Sequence, residues 1–160
     1  MRILAIAASL ATLAVSCFSV EAMAAKRTIK LHQDKPQLVQ ISLGKQGASH
    51  GDMLAFEAAV SGEGGIKGTM QGMLMTVSIA EGVDSFEDRT GQIYFDFGGA
   101  NSLVVAGHSV YKGGSQEMEP GVGQVRAVIG GTGDYIGAAG QITTTRNDDG
   151  SYDHVVELID

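Results

Sequence analysis

Ala127 to Gly140 reads AVIGGTGDYIGAAG. An apolar run followed by glycines opens many phosphate-cradling loops, where backbone N–H groups and a helix N-terminus hold a nucleotide. That chemistry needs a strand before the glycines, a helix after them, and then a parallel strand with an acidic residue near its end. Here Gly137 falls one position late for G-x-G-x-x-G, and Ile136 to Thr145, where the helix should run, holds two glycines and three consecutive threonines. That is a poor helix composition. No Gly-Lys-Ser/Thr is present either. Gly130, Gly131, Gly133, Gly137 and Gly140 are therefore read as a structural turn between two antiparallel strands, and no cofactor is expected.

The other reactive side chains carry equally little pattern. His32, His50, His108 and His154 are scattered, with no H-x-H or H-E-x-x-H pair, so no metal site is expected. His108, beside apolar neighbours, reads as a hydrogen-bonded structural histidine. The nucleophile elbow G-x-S-x-G is absent. Asn147-Asp148-Asp149-Gly150 lacks the EF-hand spacing and reads as a hairpin turn. Met70, Met73 and Met75 suit an adaptable apolar lining or core filler; a copper site would want all three thioethers on one face.

The elements that must position these residues begin after an N-terminal leader. Met1-Arg2 is a short positive start, Ile3 to Phe18 is nearly unbroken apolar and small, and Ala22-Met23-Ala24 has the form of a signal-peptidase site. Residues 1–24 are read as a signal peptide and 25–160 as a single domain, which places the protein in the periplasm or secretes it. Leu13 to Cys17 resembles a lipobox, so a lipid anchor through Cys17 is the alternative. Cleavage after Ala24 leaves about 136 residues without cysteine, so the fold must rest on its core alone. The net charge of −7, without a basic stripe, argues against nucleic acid and anionic lipid as partners.

The rest is strand-length segments separated by Gly, Asn, Asp and Ser. They are Gln37–Leu43, Leu54–Val60, Thr69–Ala80, Gly91–Phe97, Ser102–Tyr111, Gln124–Ile129, Gly140–Arg146 and Tyr152–Ile159. About eight short-connected strands predict an all-β, eight-stranded antiparallel barrel. Closure removes the exposed edges of a flat sheet, and eight strands leave an interior for side chains or one small ligand.

Three stretches carry a family resemblance. Val128 to Gly140 is similar to the G-G-[ST/A]-G-x-[FY]-x-x-[AV]-x-G signature of dirigent proteins and allene oxide cyclases. Phe95 to Gly107 (FDFGGANSLVVAG) resembles the segment with which these families cross between two central strands, and Gly51 to Phe56 (GDMLAF) resembles the cyclases' G-D-L-V-P-F. The resemblance runs from about Gly51 to Gln141 and implies an eight-stranded, calycin-like antiparallel barrel, often a homotrimer, that holds a hydrophobic ligand. It departs at Ala55, where the cyclases carry proline, and at Leu74, where they carry cysteine. Allene oxide cyclisation itself is therefore not expected.

If Ala55 and Leu74 mark the cavity face, alternation puts Met53 and Glu57 on that face of one strand, and Met70 and Thr76 on that of the next. The expected cavity is mainly apolar, with Glu57 as a possible general acid or base. Glu57 could equally face solvent or a trimer interface, or pair with a cation such as Arg126. Three functions stay open: a barrel that binds a small hydrophobic molecule and guides its cyclisation or isomerisation by shape, an isomerase or cyclase using Glu57, and a structural or interaction module of the cell envelope with a filled interior.

Overall fold

A computed structural model describes residues 26–44, 48–80 and 85–159. The leader and Cys17 lie outside the described residues. Nine strands follow one another: β1 (Lys26–Gln33), β2 (Gln37–Ile41), β3 (Met53–Gly62), β4 (Lys67–Ala80), β5 (Phe86–Asp96), β6 (Ser102–Lys112), β7 (Gln124–Thr132), β8 (Ala139–Arg146) and β9 (Tyr152–Ile159). They form one antiparallel sheet in the order β1-β9-β8-β7-β6-β5-β4-β3-β2, and β1 closes the ring by pairing with β3. The result is a closed eight-stranded barrel with one extra strand, β2.

Seven expected strands are ring strands, but the expected first one is not. Gln37–Ile41 is the extra strand, and the eighth ring position belongs to Lys26–Gln33, a segment not read as a strand. Its alternation was legible: Ile29, Leu31 and Gln33 are buried, whereas Thr28, Lys30 and His32 are exposed. β1 and β2 share β3 as partner. Leu31, His32 and Gln33 pair with Gly62, Ser61 and Val60, and then Gln37 to Ile41 pair with Glu57 to Met53. Between them Pro36 has no N–H to give a ladder. Beyond Gln33 the chain leaves β9, so β2 is paired on one side only.

The barrel has two unlike ends. At one, Phe95, Leu103, Val105, Ile142 and Val156 pack together with essentially no exposure. The glycine-rich stretch finishes this end. Gly131 allows close approach, since a Cβ there would lie 2.6 Å from Tyr135 O; Gly133 takes φ +61° and starts the short 3-10 turn Gly133–Tyr135. The turn folds the buried Tyr135 back as a plug, 5.3 Å from the Phe97 ring and under the Arg27 guanidinium. Asn101 accepts from the Asp134 N–H at 2.9 Å, and Thr132 Oγ1 donates to Ala100 O at 2.6 Å, which ties this turn to its neighbour at residues 98–101. The stretch is thus a β7–β8 connection that closes the barrel.

Gly51-Asp52 organises the other end. The buried Asp52 carboxylate accepts from the N–H groups of Leu43 and Ser49 and from the hydroxyls of Ser49 and Ser42. These bonds, led by that from Leu43, hold its pKa below the ordinary aspartate value.

Candidate functional site

The second end of the barrel is lined by polar side chains that still point inward. Strand alternation carries the packed interior directly into them: Phe95 and Ile93 lead to Arg89 and Glu87 on β5, Val128 leads to Arg126 on β7, Ile142 to Thr144 on β8, and Val156 to His154 and Tyr152 on β9. Leu54, Phe56, Met70, Leu74 and Ile93 form the apolar wall of a cavity of about 50 Å³, with Arg126, Gln33, Thr144, Tyr111, Tyr152 and His154 on its polar side. That volume holds only a few waters. Leu38 and Pro36 of the β1–β2 stretch, and Met118 and Gln116 of the β6–β7 loop, complete the lining.

The β6–β7 loop (residues 113–123) is strapped across this end by charge. Arg89 and Glu87 are both buried and pair at 2.8 Å. Glu87 Oε1 accepts from the Gly114 N–H at 2.9 Å, and Arg89 Nη2 donates to Ser115 O at 2.7 Å. The Arg89 guanidinium also lies 4.3 Å from the centre of the Tyr111 ring. Farther along, Arg146 donates to Glu117 at 2.9 Å and Gln116 donates to Gln40 on β2 at 2.6 Å. These bonds hold Met118, which is buried, over the cavity.

His154 sits between two partners, Gln33 Oε1 at 2.9 Å from Nε2 and Thr144 Oγ1 at 3.0 Å from Nδ1. Burial first, and then the Arg126 charge, lower its pKa from 6.5 to about 4. The imidazole is therefore neutral at pH 7. The network then assigns the proton to Nε2, which donates to Gln33, while Nδ1 accepts from the Thr144 hydroxyl. Both ring nitrogens are engaged. Burial also raises the Tyr152 pKa, with Glu117 adding to the effect, so that hydroxyl stays protonated.

Arg126 is the unbalanced group. It is 4 % exposed, its Nε has no hydrogen-bond partner, and no carboxylate pairs with it among the described residues. Burial lowers its pKa and the neighbouring Tyr111 opposes that shift, but a guanidinium remains charged.

The structure turns the residues expected on the cavity face inward on β4 and outward on β3. Met70, Leu74 and Thr76 of β4 point inward and are buried. Leu74 pairs across the ladder with Leu54, not with Ala55. Leu54 and Phe56 are consequently the inward residues of β3, and Met53, Ala55 and Glu57 lie on the outside of the barrel. Glu57 is exposed between Gln37 and Gln71, so it is not the cavity carboxylate, and it forms no pair with Arg126. Met73 and Met75 share that outer face, opposite Met70. His108 is exposed and bonds Asp88 at 3.1 Å.

The inward polar groups missed in the sequence are Arg126, His154, Tyr111 and Tyr152, which line the cavity, and the Arg89–Glu87 pair beside it. One signal was available for four of them: Arg126, His154, Tyr152 and Arg89 each stand two or four residues from a buried apolar residue of their own strand, in the same parity. The expected strand began at Gly91, whereas β5 begins at Phe86, five residues earlier, so Glu87 and Arg89 fell outside it.

No protein-family model matches the chain, and no curated protein matches it in sequence. Solved structures do match it in fold. Pyocyanin demethylase superposes with a TM-score of 0.60 at 19% identity, over 84% of this chain and 99% of its own. A Diels Alderase from Streptomyces koyangensis gives 0.56 at 12% identity, over 88% and 71%. A pterocarpan synthase dirigent protein gives 0.52 at 16% identity, over 96% and 100%. The chain therefore shares its barrel fold with these proteins, the dirigent protein among them, which agrees with the barrel that its motifs led us to expect.

Proposed function

We propose that the protein is an exported barrel that binds a small, largely hydrophobic molecule at its polar end and guides the cyclisation or isomerisation of that molecule by holding it in one folded shape. The observation that carries this is the contrast within a single interior: one end is packed solid, while the other keeps a cavity with an apolar wall and several converging polar groups, the usual composition of a ligand site. Orientation alone can favour ring closure. The folds shared with a Diels Alderase and a pterocarpan synthase dirigent protein support the reading. A ligand of drug-like size needs several hundred Å³, so binding on this proposal displaces Met118 and the strapped loop above the cavity.

Export rests on the leader and its Ala22-Met23-Ala24 site. Assembly into a homotrimer is part of the proposal. It is supported by an apolar outer face on β2, β3 and β4, where Val39, Ala55 and Met73 stand in one row and Ile41, Met53 and Met75 in the next. A second reading, a scaffold of the cell envelope with a filled barrel, is favoured by the small volume of the cavity.

Native mass spectrometry of the chain, exported by its own leader, tests these together. The proposal expects a trimer starting at Ala25 with an adduct of a few hundred daltons. A chain starting at a lipidated Cys17 would replace the soluble reading with an anchored one. A bare barrel that takes up no apolar probe would favour the scaffold.

A further inference from the structure

Arg126 poses a problem that the rest of the interior does not. Buried charges are normally paired, because an unpaired one forfeits its hydration. Arg89 obeys this rule through Glu87 and two backbone carbonyls. Arg126 does not: its side chain is buried, its Nε is orphaned, and it lines the cavity. The neighbouring strand is shaped to admit it. Gly107 on β6 faces inward without a side chain, and a Cβ there would lie 3.3 Å from Arg126 Cβ and 3.4 Å from Cγ. Among the described residues no carboxylate compensates the charge of Arg126, and the neighbouring Tyr111 opposes the effect of its burial only in part. His154, Thr144, Gln33, Tyr111 and Tyr152 are neutral and supply hydrogen-bonding groups to the same space.

We infer that Arg126 anchors an oxyanion carried by the ligand, so that the barrel takes small apolar acids, with the carboxylate or an equivalent charged oxygen on Arg126 and the hydrocarbon against Leu54, Phe56, Leu74 and Ile93. This rests on the small-molecule reading of the cavity. A planar guanidinium with its Nε–H free matches a carboxylate in both charge and geometry. The apolar wall opposite gives the remainder of the molecule its place.

The test compares benzoate with benzamide, two probes of nearly the same shape that differ in charge, by calorimetric titration of the full mature protein and by the Arg126 Nε–H resonance. Benzoate should bind at least about tenfold more tightly than benzamide and should shift that resonance. Arg126→Met should lose the preference for benzoate. It should also melt higher than the wild type without ligand, by roughly 3 °C, because a buried unpaired charge is gone. Arg126→Lys, which keeps the charge, should retain part of the preference. Benzamide binding as well as benzoate would overturn the inference and leave the small-molecule reading standing, as would an Arg126→Met protein that keeps the preference. Failure of both probes and of naphthalene to bind would overturn both.

Discussion

The two ends of the barrel are built by the same eight strands in the same alternation, and yet one is finished and the other is not. At the packed end every inward position is apolar or aromatic, and Tyr135 fills the remaining space. At the other end the inward positions include Gln33, Thr76, Glu87, Arg89, Ser109, Arg126, Thr144 and His154, all buried, beside the apolar wall of the cavity. Hydrophobic burial holds the first end and tolerates no polar group. The second is held by hydrogen bonds and two ion pairs, and such bonds stabilise only where each partner is satisfied. Ser109 Oγ and Arg126 Nε are not satisfied. The packed end thus supplies the stability, and the polar end carries groups whose cost it offsets. The ligand site proposed above rests on this difference.

The contrast can be tested by substitution. Phe95→Ala, in the packed end, should cost about 4 kcal/mol in denaturant unfolding, because it leaves a dry cavity under fully buried neighbours. A loss below about 1 kcal/mol would mean that this end is not the anchor of the fold. Arg89→Met should cost about 3 kcal/mol by stranding the buried Glu87 carboxylate. Its amide-exchange signature should be local, in residues 113–119, and pairing it with Glu87→Gln should restore part of the loss. Exchange that accelerates equally at both ends would contradict separate roles.

His154 gives the polar end a pH dependence. Its folded pKa, about 4, is depressed below the unfolded value of 6.5. Between these values the unfolded chain binds the proton and the folded one does not, so stability is lost as pH falls from 6.5 towards 4 and levels off below that. The full loss is roughly 3 kcal/mol. His32, Asp153 and Arg126 act on the same group, the first and last opposing protonation and Asp153 favouring it. A His154→Gln variant should lose this slope; a wild-type curve flat from pH 7 to 4.5 would refute the neutral, buried imidazole.

Two smaller effects complete the comparison. Met118→Ala should lower stability by only about 1 kcal/mol, less than a packed-end truncation, because its site opens onto the cavity. It should increase the uptake of an apolar probe such as naphthalene. Glu57→Gln should change neither stability, within about 0.5 kcal/mol, nor any turnover found for the barrel, since its carboxylate lies outside in solvent. A turnover lost with Glu57 would reverse that assignment.

The closed antiparallel barrel was legible in the chain, for a physical reason. Seven segments alternate or run apolar between turn residues, and a sheet of that many short-linked strands closes to remove its edges. The glycine run was legible as a turn because its flanks cannot make a helix. Which residues share the cavity was far less legible. Parity on β4 came out correctly from Leu74, but parity on β3 depended on whether Leu54 or Ala55 stands opposite it, and the ladder decides that with Leu54.

What the sequence determines by itself, then, is local: which segments are strands and which of their residues alternate. What only the tertiary structure decides is which charges are inside. Arg89 and Arg126 look alike as residues in a strand. One is satisfied by Glu87 and by the carbonyls of a loop more than twenty residues away, and the other is left unpaired. Pairing is a relation between distant parts of the chain, so no local pattern contains it.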